Sequence, residues 1–203
     1  AQSIFLDIFG DPVTNPKGWE VKRLEECIKK IYAGKSVSGE PIPCENTEIG
    51  VLKISAVTSG FFIASENKKV DRNILKESEL IYPQKGDVLI TRANTRELVA
   101  ACCIVDTDYH NLFLPDKIWK IELNNNAIIN WYLKYILSYK SIRNELTKKA
   151  TGTSGSMLNI SQNKFIRFKI PLPPLKLQKQ FAAKIKKIQS LKEQHQKSLA
   201  ESN

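Results

Sequence analysis

The feature that most constrains this chain is its C-terminal segment, residues 175–203, which contains neither glycine nor proline. A segment of that length without a helix breaker can continue as a single α-helix. Large side chains recur in it at steps of three or four residues, which places them on one side of the helix. A helix over residues 175–200 would be roughly 40 Å long at 1.5 Å per residue. This stripe consists of Leu177, Phe181, Ile185, Ile188, Leu191, His195 and Leu199.

The proline pair Pro173-Pro174 precedes the segment and separates it from the rest of the chain. We predict that the helix projects from a globular unit as a coiled-coil-type spacer and that its stripe serves assembly, because soluble monomers seldom expose so many large apolar side chains. The opposite face carries seven lysines and one glutamate before residue 201. A C-terminal helix docked on its own domain is the alternative. The residues expected to pair with another helix are Leu177, Phe181, Ile185, Ile188 and Leu191.

Before the prolines, short apolar runs alternate with turn-forming residues, which predicts an α+β fold. Residues 1–18 are expected to form the tail of a helix and a linker, because Gly10-Asp11-Pro12 stops the helix. Helices are predicted over residues 23–31, 74–81 and 127–144, and strands over residues 51–57, 61–63, 88–92, 98–105, 117–123 and 165–170.

The net charge indicates what kind of partner the chain binds, and the cysteines indicate whether it holds disulfides or a metal. Lys and Arg number 31 against 21 for Asp and Glu, a net charge of +10, which suits a polyanion such as nucleic acid. No run approaches the roughly 18–20 apolar residues of a membrane helix. The four cysteines form no C-x-x-C motif and there are only two histidines, so we expect reduced thiols in a cytoplasm and neither a metal nor another cofactor.

Two basic segments are candidates for nucleic-acid contact. Residues 92–96 follow a predicted strand and contain arginine and asparagine, which can hydrogen-bond base edges; a solvated strand end would look much the same. Residues 151–156 form a loop of glycine, serine and threonine after two lysines, which can bind phosphate; a flexible surface turn is the alternative. The candidate residues are Arg92, Asn94, Arg96, Lys148, Lys149, Thr153 and Ser154.

No catalytic motif is complete, so we expect no enzymatic activity. Glu66-Asn67-Lys68 matches half of a restriction-nuclease core, but no suitably placed acid precedes it. The loop at residues 151–156 lacks the Gly-Lys-Ser/Thr ending of a nucleotide-binding P-loop. Two alternatives stay open. One is an RNA-binding module that uses the G-x-x-G motif of Gly152 to Gly155, and the other is a metal-dependent nuclease centred on Glu66 and Lys68.

Taken in order, four stretches of the chain resemble the specificity subunit of type I restriction–modification systems. They are residues 9–20, 86–92 and 152–161, and residues 170–178, where a proline-stopped strand leads into a long helix. The resemblance implies a mixed-sheet DNA target-recognition domain over residues 19–173, which reads one half of a bipartite site. It also implies that residues 174–203 are a shortened spacer or dimerisation helix.

The same resemblance implies a set of partners. These are double-stranded DNA, the methyltransferase (M) and restriction (R) subunits, and a second recognition domain or a second copy of the chain paired through the helix. Such a subunit is non-catalytic, because the methyltransferase subunits carry the S-adenosylmethionine chemistry. A full subunit usually holds two recognition domains, which implies a fragment or a half-subunit that dimerises. The family does not supply the DNA-contact residues, so the seven candidates rest on their chemistry alone.

Overall fold

The computed structural model describes residues 2–152 and 157–201, which form a mixed α+β fold as predicted. The helices are α1 (Gln2–Phe9), α2 (Ser55–Thr58), α3 (Asn130–Ser138), α4 (Lys140–Lys149), α5 (Gln162–Ile166) and α6 (Leu175–Glu201). The strands are β1 (Val21–Arg23), β2 (Ile28–Ala33), β3 (Ile49–Leu52), β4 (Asn67–Val70), β5 (Val88–Thr91), β6 (Ala93–Asn94), β7 (Cys102–Ile104), β8 (Leu112–Phe113), β9 (Ile118–Leu123), β10 (Leu158–Asn159) and β11 (Lys169–Pro171). None of the described helices is both long enough and apolar enough to cross a membrane.

The central sheet has the strand order β2-β9-β5-β7 with antiparallel neighbours. Strand β5 is buried on both faces, because Val88 and Ile90 belong to the main core while Leu89 belongs to a second core on the other face. A strand covered on both sides is apolar throughout rather than alternating, which accounts for the continuous run at residues 88–90. The predicted strands at residues 88–92 and 117–123 correspond to β5 and β9.

A smaller sheet of order β4-β3-β8 packs beside the central one. Strand β3 runs antiparallel to β4 and parallel to β8, so this sheet is mixed. Ile49 and Val51 of β3 form a third core with Val70 and Phe113. Two further two-stranded pairs, β1 with β11 and β6 with β10, connect distant parts of the chain.

The long C-terminal helix is present as predicted, but its first half docks on its own domain. Phe181 and Ile185 are buried in the main core, where α6 contacts α1 and α3. The Phe181 ring centroid lies 5.6 Å from that of Phe5 and 5.3 Å from that of Phe9. Further along the apolar stripe, Leu191 is 55% exposed. The alternative of a docked helix therefore describes the first half.

A buried glutamine fixes the start of α6 to the start of α3. The Gln178 side chain is fully buried. Its Nε2 donates to the carbonyl oxygens of Ala127 (3.0 Å) and Pro173 (2.8 Å), and its Oε1 accepts from Ile129 N (3.0 Å). Buried amides are stable only when paired in this way. The helix therefore leaves the domain in a defined direction.

The prediction of one helix over residues 23–31 is wrong. The segment forms a short 3₁₀ turn at Leu24–Glu26 and then strand β2, which pairs with β9. Leu24 and Cys27 are buried three residues apart, a spacing typical of a helix, but the backbone of residues 28–33 is recruited into the sheet. Tertiary pairing therefore overrides the local pattern.

The segment predicted as one helix over residues 127–144 is two helices, because Tyr139 adopts an extended conformation (φ −66°, ψ 127°). The predicted strand at residues 165–170 begins only at Lys169, because Ser161 caps the short helix α5 through its side-chain oxygen. The other differences are smaller. Residues 51–57 divide between β3 and α2, residues 61–63 form a loop, residues 74–81 contain only short 3₁₀ turns, and residues 98–105 contain only the short strand β7.

Candidate nucleic-acid interface

Residues 92–96 lie in the connection between β5 and β7. The base of this connection is closed by Thr91 N donating to Ala101 O (2.9 Å) and Ala100 N donating to Thr91 O (2.9 Å). The hydroxyl of Thr91 also donates to Leu98 O (2.7 Å). A hairpin connection fixed at its base holds the side chains of residues 92–96 at the end of a buried strand.

The β6–β10 pair brings the glycine-rich loop alongside this connection. Leu158 is opposite Asn94 in the antiparallel register, and Ile160 N donates to Arg92 O (2.9 Å). Thr151 and Asn159 exchange two backbone hydrogen bonds of 2.8 Å each. The loop between them therefore begins and ends at β10, which is paired with β6. The candidates Thr153 and Ser154 lie outside the described residues.

Helix α4 brings the two lysines to the same region. The hydroxyl of Thr147, in its last turn, lies 2.9 Å from Arg143 O of the same helix and 3.3 Å from Arg96 O. Lys148 and Lys149 follow directly and are exposed. Segments far apart in sequence thus converge on one surface, which we call the candidate DNA surface. It comprises Arg92, Asn94, Arg96, Lys148, Lys149 and the paired residues Thr151 and Asn159.

The charged side chains of this surface are available to a ligand to different degrees. Arg96 and both lysines are exposed, whereas Arg92 is half-buried. Lys148 Nζ lies 2.6 Å from Glu145 Oε1 in an exposed pair. Exposed pairs contribute only about 0–1 kcal/mol, so a phosphate can compete for this lysine. The surface therefore offers two exposed lysines at a helix end and one exposed arginine.

Two buried polar atoms lack hydrogen-bond partners within the described part of this surface. They are Arg92 Nε and Asn94 Nδ2. A buried donor without an acceptor costs about 1–3 kcal/mol, and an oxygen of a bound nucleic acid is one way to satisfy it. Asn94 is only 8% exposed, and its Oδ1 already accepts from Thr95 N (2.8 Å). Of the described candidates, Asn94 is therefore the least accessible to DNA.

Some residues that organise this surface carry no recognisable signal in the sequence. Thr147 links α4 to residues 92–96, and the carbonyl of Lys117 accepts from Arg92 N (3.0 Å). Arg143, one turn before Thr147, has a buried Nε that is unpartnered in the described residues. Each is an ordinary residue of a helix or a strand end, so only the tertiary contacts reveal its place.

The segment considered as half a nuclease core has other partners. Glu66 Oε2 accepts from the Ser55 hydroxyl and lies 3.7 Å from Lys53 Nζ. Lys68 is exposed on β4. Among residues 2–152 and 157–201, no group of three or more His, Cys, Asp or Glu side chains is placed to hold a metal ion.

Comparison with known proteins assigns a family to the chain. The family model described as "Type I restriction modification DNA specificity domain" matches residues 16–201. The EcoEI specificity subunit of Escherichia coli is 34% identical over 172 residues, 82% of this chain and 28% of that protein. A putative MjaX specificity subunit of Methanocaldococcus jannaschii is 28% identical over 176 residues, 82% of this chain and 38% of that protein. The chain therefore spans about a third of the length of these relatives.

Solved structures show the same fold. The HsdS subunit from Thermoanaerobacter tengcongensis superposes with a TM-score of 0.59 at 20% identity, over 94% of this chain and 42% of that one. A chain from a structural study of assembly and conformational transition in the type I R-M system gives a TM-score of 0.60 at 20% identity. That superposition covers 99% of this chain and 46% of the other.

Proposed function

Because the chain belongs to the family of type I restriction–modification DNA specificity domains, we propose that it is a non-catalytic module that reads one half of a bipartite duplex target through the candidate DNA surface. The family role is DNA target recognition. The assignment of that role to this surface is our proposal, and the loop closed by Thr151 and Asn159 is part of it.

The observation that carries the proposal is the convergence of three basic or hydroxyl-rich segments. Residues 92–96, the end of α4 and the two ends of the glycine-rich loop are brought together by the β6–β10 pairing, by the pairing of Thr151 with Asn159 and by the contact from Thr147 to Arg96. Each segment alone fits an ordinary surface turn. Together they combine exposed lysines for phosphate contact with arginines able to read base edges, the two components of sequence-specific binding.

Phosphate contact and base readout are assigned to different residues. Lys148 and Lys149 are exposed at the end of a helix and would neutralise phosphates without regard to sequence. Arg92 and Arg96 extend from a hairpin connection that the central sheet holds in place, and fixed geometry is what bidentate contact with guanine requires. Lys148 and Lys149 would supply affinity, and the arginines would supply discrimination.

The proposed assembly follows from the family and from α6. We propose that the chain works in the cytoplasm with methyltransferase and restriction subunits, and with a second recognition domain or a second copy of itself. The later part of α6, where Leu191 is exposed, is the part of the helix left open for that pairing. The supporting comparison is a structure from a study of type I R-M complex assembly.

The proposal is tested by selecting bound duplexes from a randomised DNA pool with the full chain. We expect enrichment of a short half-site, and competition by duplex rather than by single-stranded RNA. Replacing Lys148 and Lys149 by Ala should weaken binding to all duplexes alike and reduce the log–log salt slope by about 0.9 for each phosphate that is no longer neutralised. The matched control is the exposed pair Lys29 and Lys30 on edge strand β2, whose replacement by Ala should change the slope little.

Discrimination is tested at the arginines. Arg96→Ala should relax preference at one base pair by about 1–3 kcal/mol while leaving binding to random duplex nearly unchanged. Equal losses on random and selected duplexes for the arginine and lysine variants would contradict the assignment of base readers. Preferential binding of single-stranded RNA would favour the RNA-binding alternative. Cleavage of DNA with magnesium alone, lost in Glu66→Ala, would overturn the non-catalytic role.

A further inference from the structure

A groove of about 830 Å³ lies between α3, α6, the loop after α2 and the end of β7. Its lining residues include Phe61, Trp131, Lys134, Tyr135, Ile185 and Ile188. None of its lining residues belongs to the candidate DNA surface. A volume of this size is within the range of about 300–1,000 Å³ typical of ligand sites. The groove is therefore a second feature of the molecule that needs an explanation.

Lys134 is the unusual residue of this groove. Its side chain is only 8% exposed. Its Nζ lies 5.1 Å from the ring centroid of Phe61 and 4.9 Å from that of Tyr135. Among the side chains that the structure describes, none supplies a carboxylate within ion-pair distance of this ammonium. Burial lowers the pKa of Lys134 from its ordinary value of 10.5. Within the described residues, the contacts that the structure shows for this ammonium are with the two aromatic rings, so it is available to a carboxylate from outside.

The rim of the groove is apolar and open. Phe61, on the loop after α2, is 63% exposed, although a large aromatic ring gains most from burial. Across the groove, Ile188 and Trp131 are half-buried. These three side chains leave apolar surface open along the groove.

The charge around the groove indicates what kind of occupant fits. Lys85, Lys134 and Lys186 line it, and Asp106 is the acidic residue among its lining side chains. A second copy that offered its own lysine-rich α6 would bring like charges together, which costs free energy. An acidic occupant would instead gain from all three lysines. The charge therefore favours a different protein over a second copy as the occupant of this groove, whereas the pairing with a second copy proposed above concerns the later part of α6, beyond the groove.

We propose that the groove binds an amphipathic helix of a partner protein, laid beside α6, which presents one carboxylate to Lys134 between apolar side chains that cover Phe61 and Ile188. Helix-in-groove recognition uses apolar anchors at steps of three and four residues, and a carboxylate at the centre of that stripe meets the ammonium. The pair forms away from water, where a charged hydrogen bond is stronger than at the surface. This proposal does not rest on DNA binding.

The probe is a displayed library of helical peptides with one randomised face, selected on the full chain. We expect the enriched peptides to carry Glu or Asp at one fixed position, flanked by apolar residues at three- and four-residue steps. Lys134→Met should weaken the best peptide at least tenfold. Changing its acidic residue to Gln should weaken it equally on the native chain and have little further effect on Lys134→Met, as in a double-mutant cycle.

Two further variants keep the test independent of folding. Lys184→Met changes an exposed lysine of α6 outside the groove and should leave peptide binding unchanged. Phe61→Ser changes an exposed ring and should weaken binding while leaving the melting temperature nearly unchanged. DNA binding should be the same in Lys134→Met and Phe61→Ser as in the native chain.

Three results would overturn the proposal. One is that selection enriches no peptides, or enriches peptides without an acidic residue. Another is equal binding of the enriched peptides to the native chain and to Lys134→Met. The third is that sedimentation shows a dimer of the native chain that Phe61→Ser dissociates, because the occupant would then be a second copy.

Discussion

The two halves of α6 have the same apolar periodicity and different surroundings. In the first half, Phe181 and Ile185 are enclosed by the chain's own helices. In the second half, Leu191 faces solvent. Periodicity reports which side of a helix is apolar, but it does not report which molecule covers that side. The stripe is therefore covered by the domain's own core at its start and is exposed at Leu191 further along.

The largest difference between the halves should be seen by removing a side chain from each. Phe181→Ala removes a ring packed against those of Phe5, Phe9 and Tyr135 and should lower the free energy of unfolding by about 3–5 kcal/mol. Leu191→Ala, the matched change in the open half, should lower it by less than about 0.5 kcal/mol. Urea unfolding measures both. Equal losses would mean that the halves do not differ as described.

The next largest loss of stability is expected at Gln178, whose side chain joins the start of α6 to the start of α3. Gln178→Leu has nearly the same size but leaves Ile129 N and two carbonyl oxygens without their partner. We expect a loss of about 1–3 kcal/mol in unfolding free energy, measured by thermal and urea unfolding. The control is Gln180→Leu, an exposed glutamine of the same helix. A loss no larger than that of the control would mean that the buried amide does not hold the junction.

A smaller effect on stability is expected from Asp11, which lies in the turn after α1. Helix α1 packs against the first half of α6. Asp11 Oδ1 accepts from Val13 N (2.7 Å) and Oδ2 accepts from the Tyr139 hydroxyl (2.8 Å). These bonds lower the pKa of Asp11 below its ordinary value of 3.8, with the Val13 amide contributing most. A carboxyl with a lowered pKa stabilises the fold above pH 3.8, and that contribution disappears as the pH falls through its folded pKa.

Asp11→Asn should therefore destabilise the chain at neutral pH, by less than Gln178→Leu. The difference between native and variant unfolding should shrink as the pH falls below 3.8. Asp7→Asn, at an exposed position of α1, is the control and should show little effect. A difference that does not depend on pH would exclude the carboxylate as its source.

The smallest effect on stability is expected in the open half. Leu191→Asp should leave the unfolding free energy within about 0.5 kcal/mol of native. It should, however, reduce any self-association or subunit binding through α6, because a charge replaces an exposed apolar contact. Sedimentation and unfolding are measured on the same samples. Melting of the domain by this variant would show that the second half also belongs to the core.

The sequence predicts the long helix, the strands β5 and β9 and the breaks at Gly10 and Pro173, because each depends on local backbone chemistry. It does not predict that residues 28–33 join a sheet, since their pairing with β9 involves residues far along the chain. The turn at Tyr139 is missed for the same reason, because the conformation accompanies a contact with Asp11, 128 positions away. Helical periodicity continues through that residue.

The candidate DNA surface also depends on contacts between residues far apart in the chain, which the sequence does not predict. Residue chemistry identifies residues 92–96 and the loop at 151–156 with its preceding lysines as two separate possibilities, each with an ordinary explanation. Their adjacency depends on the β6–β10 pairing and on Thr147, which no local pattern encodes. Residue chemistry also cannot show that Asn94 is buried. A side chain suited to reading adenine is recognisable in the sequence, but its accessibility is set by its neighbours.

The reciprocal pairing of Thr151 with Asn159 has a consequence for how such a surface could be altered. The two backbone hydrogen bonds join the ends of the glycine-rich loop, and the Thr151 hydroxyl adds a longer contact of 3.4 Å to Asn159 O. Changing the loop's length adds only slowly to the entropy cost of closing it. Loops of other composition or length could therefore be grafted between these two positions while the sheet beneath stays intact. On the proposed DNA surface, such a graft would change the sequence that is read without a new scaffold.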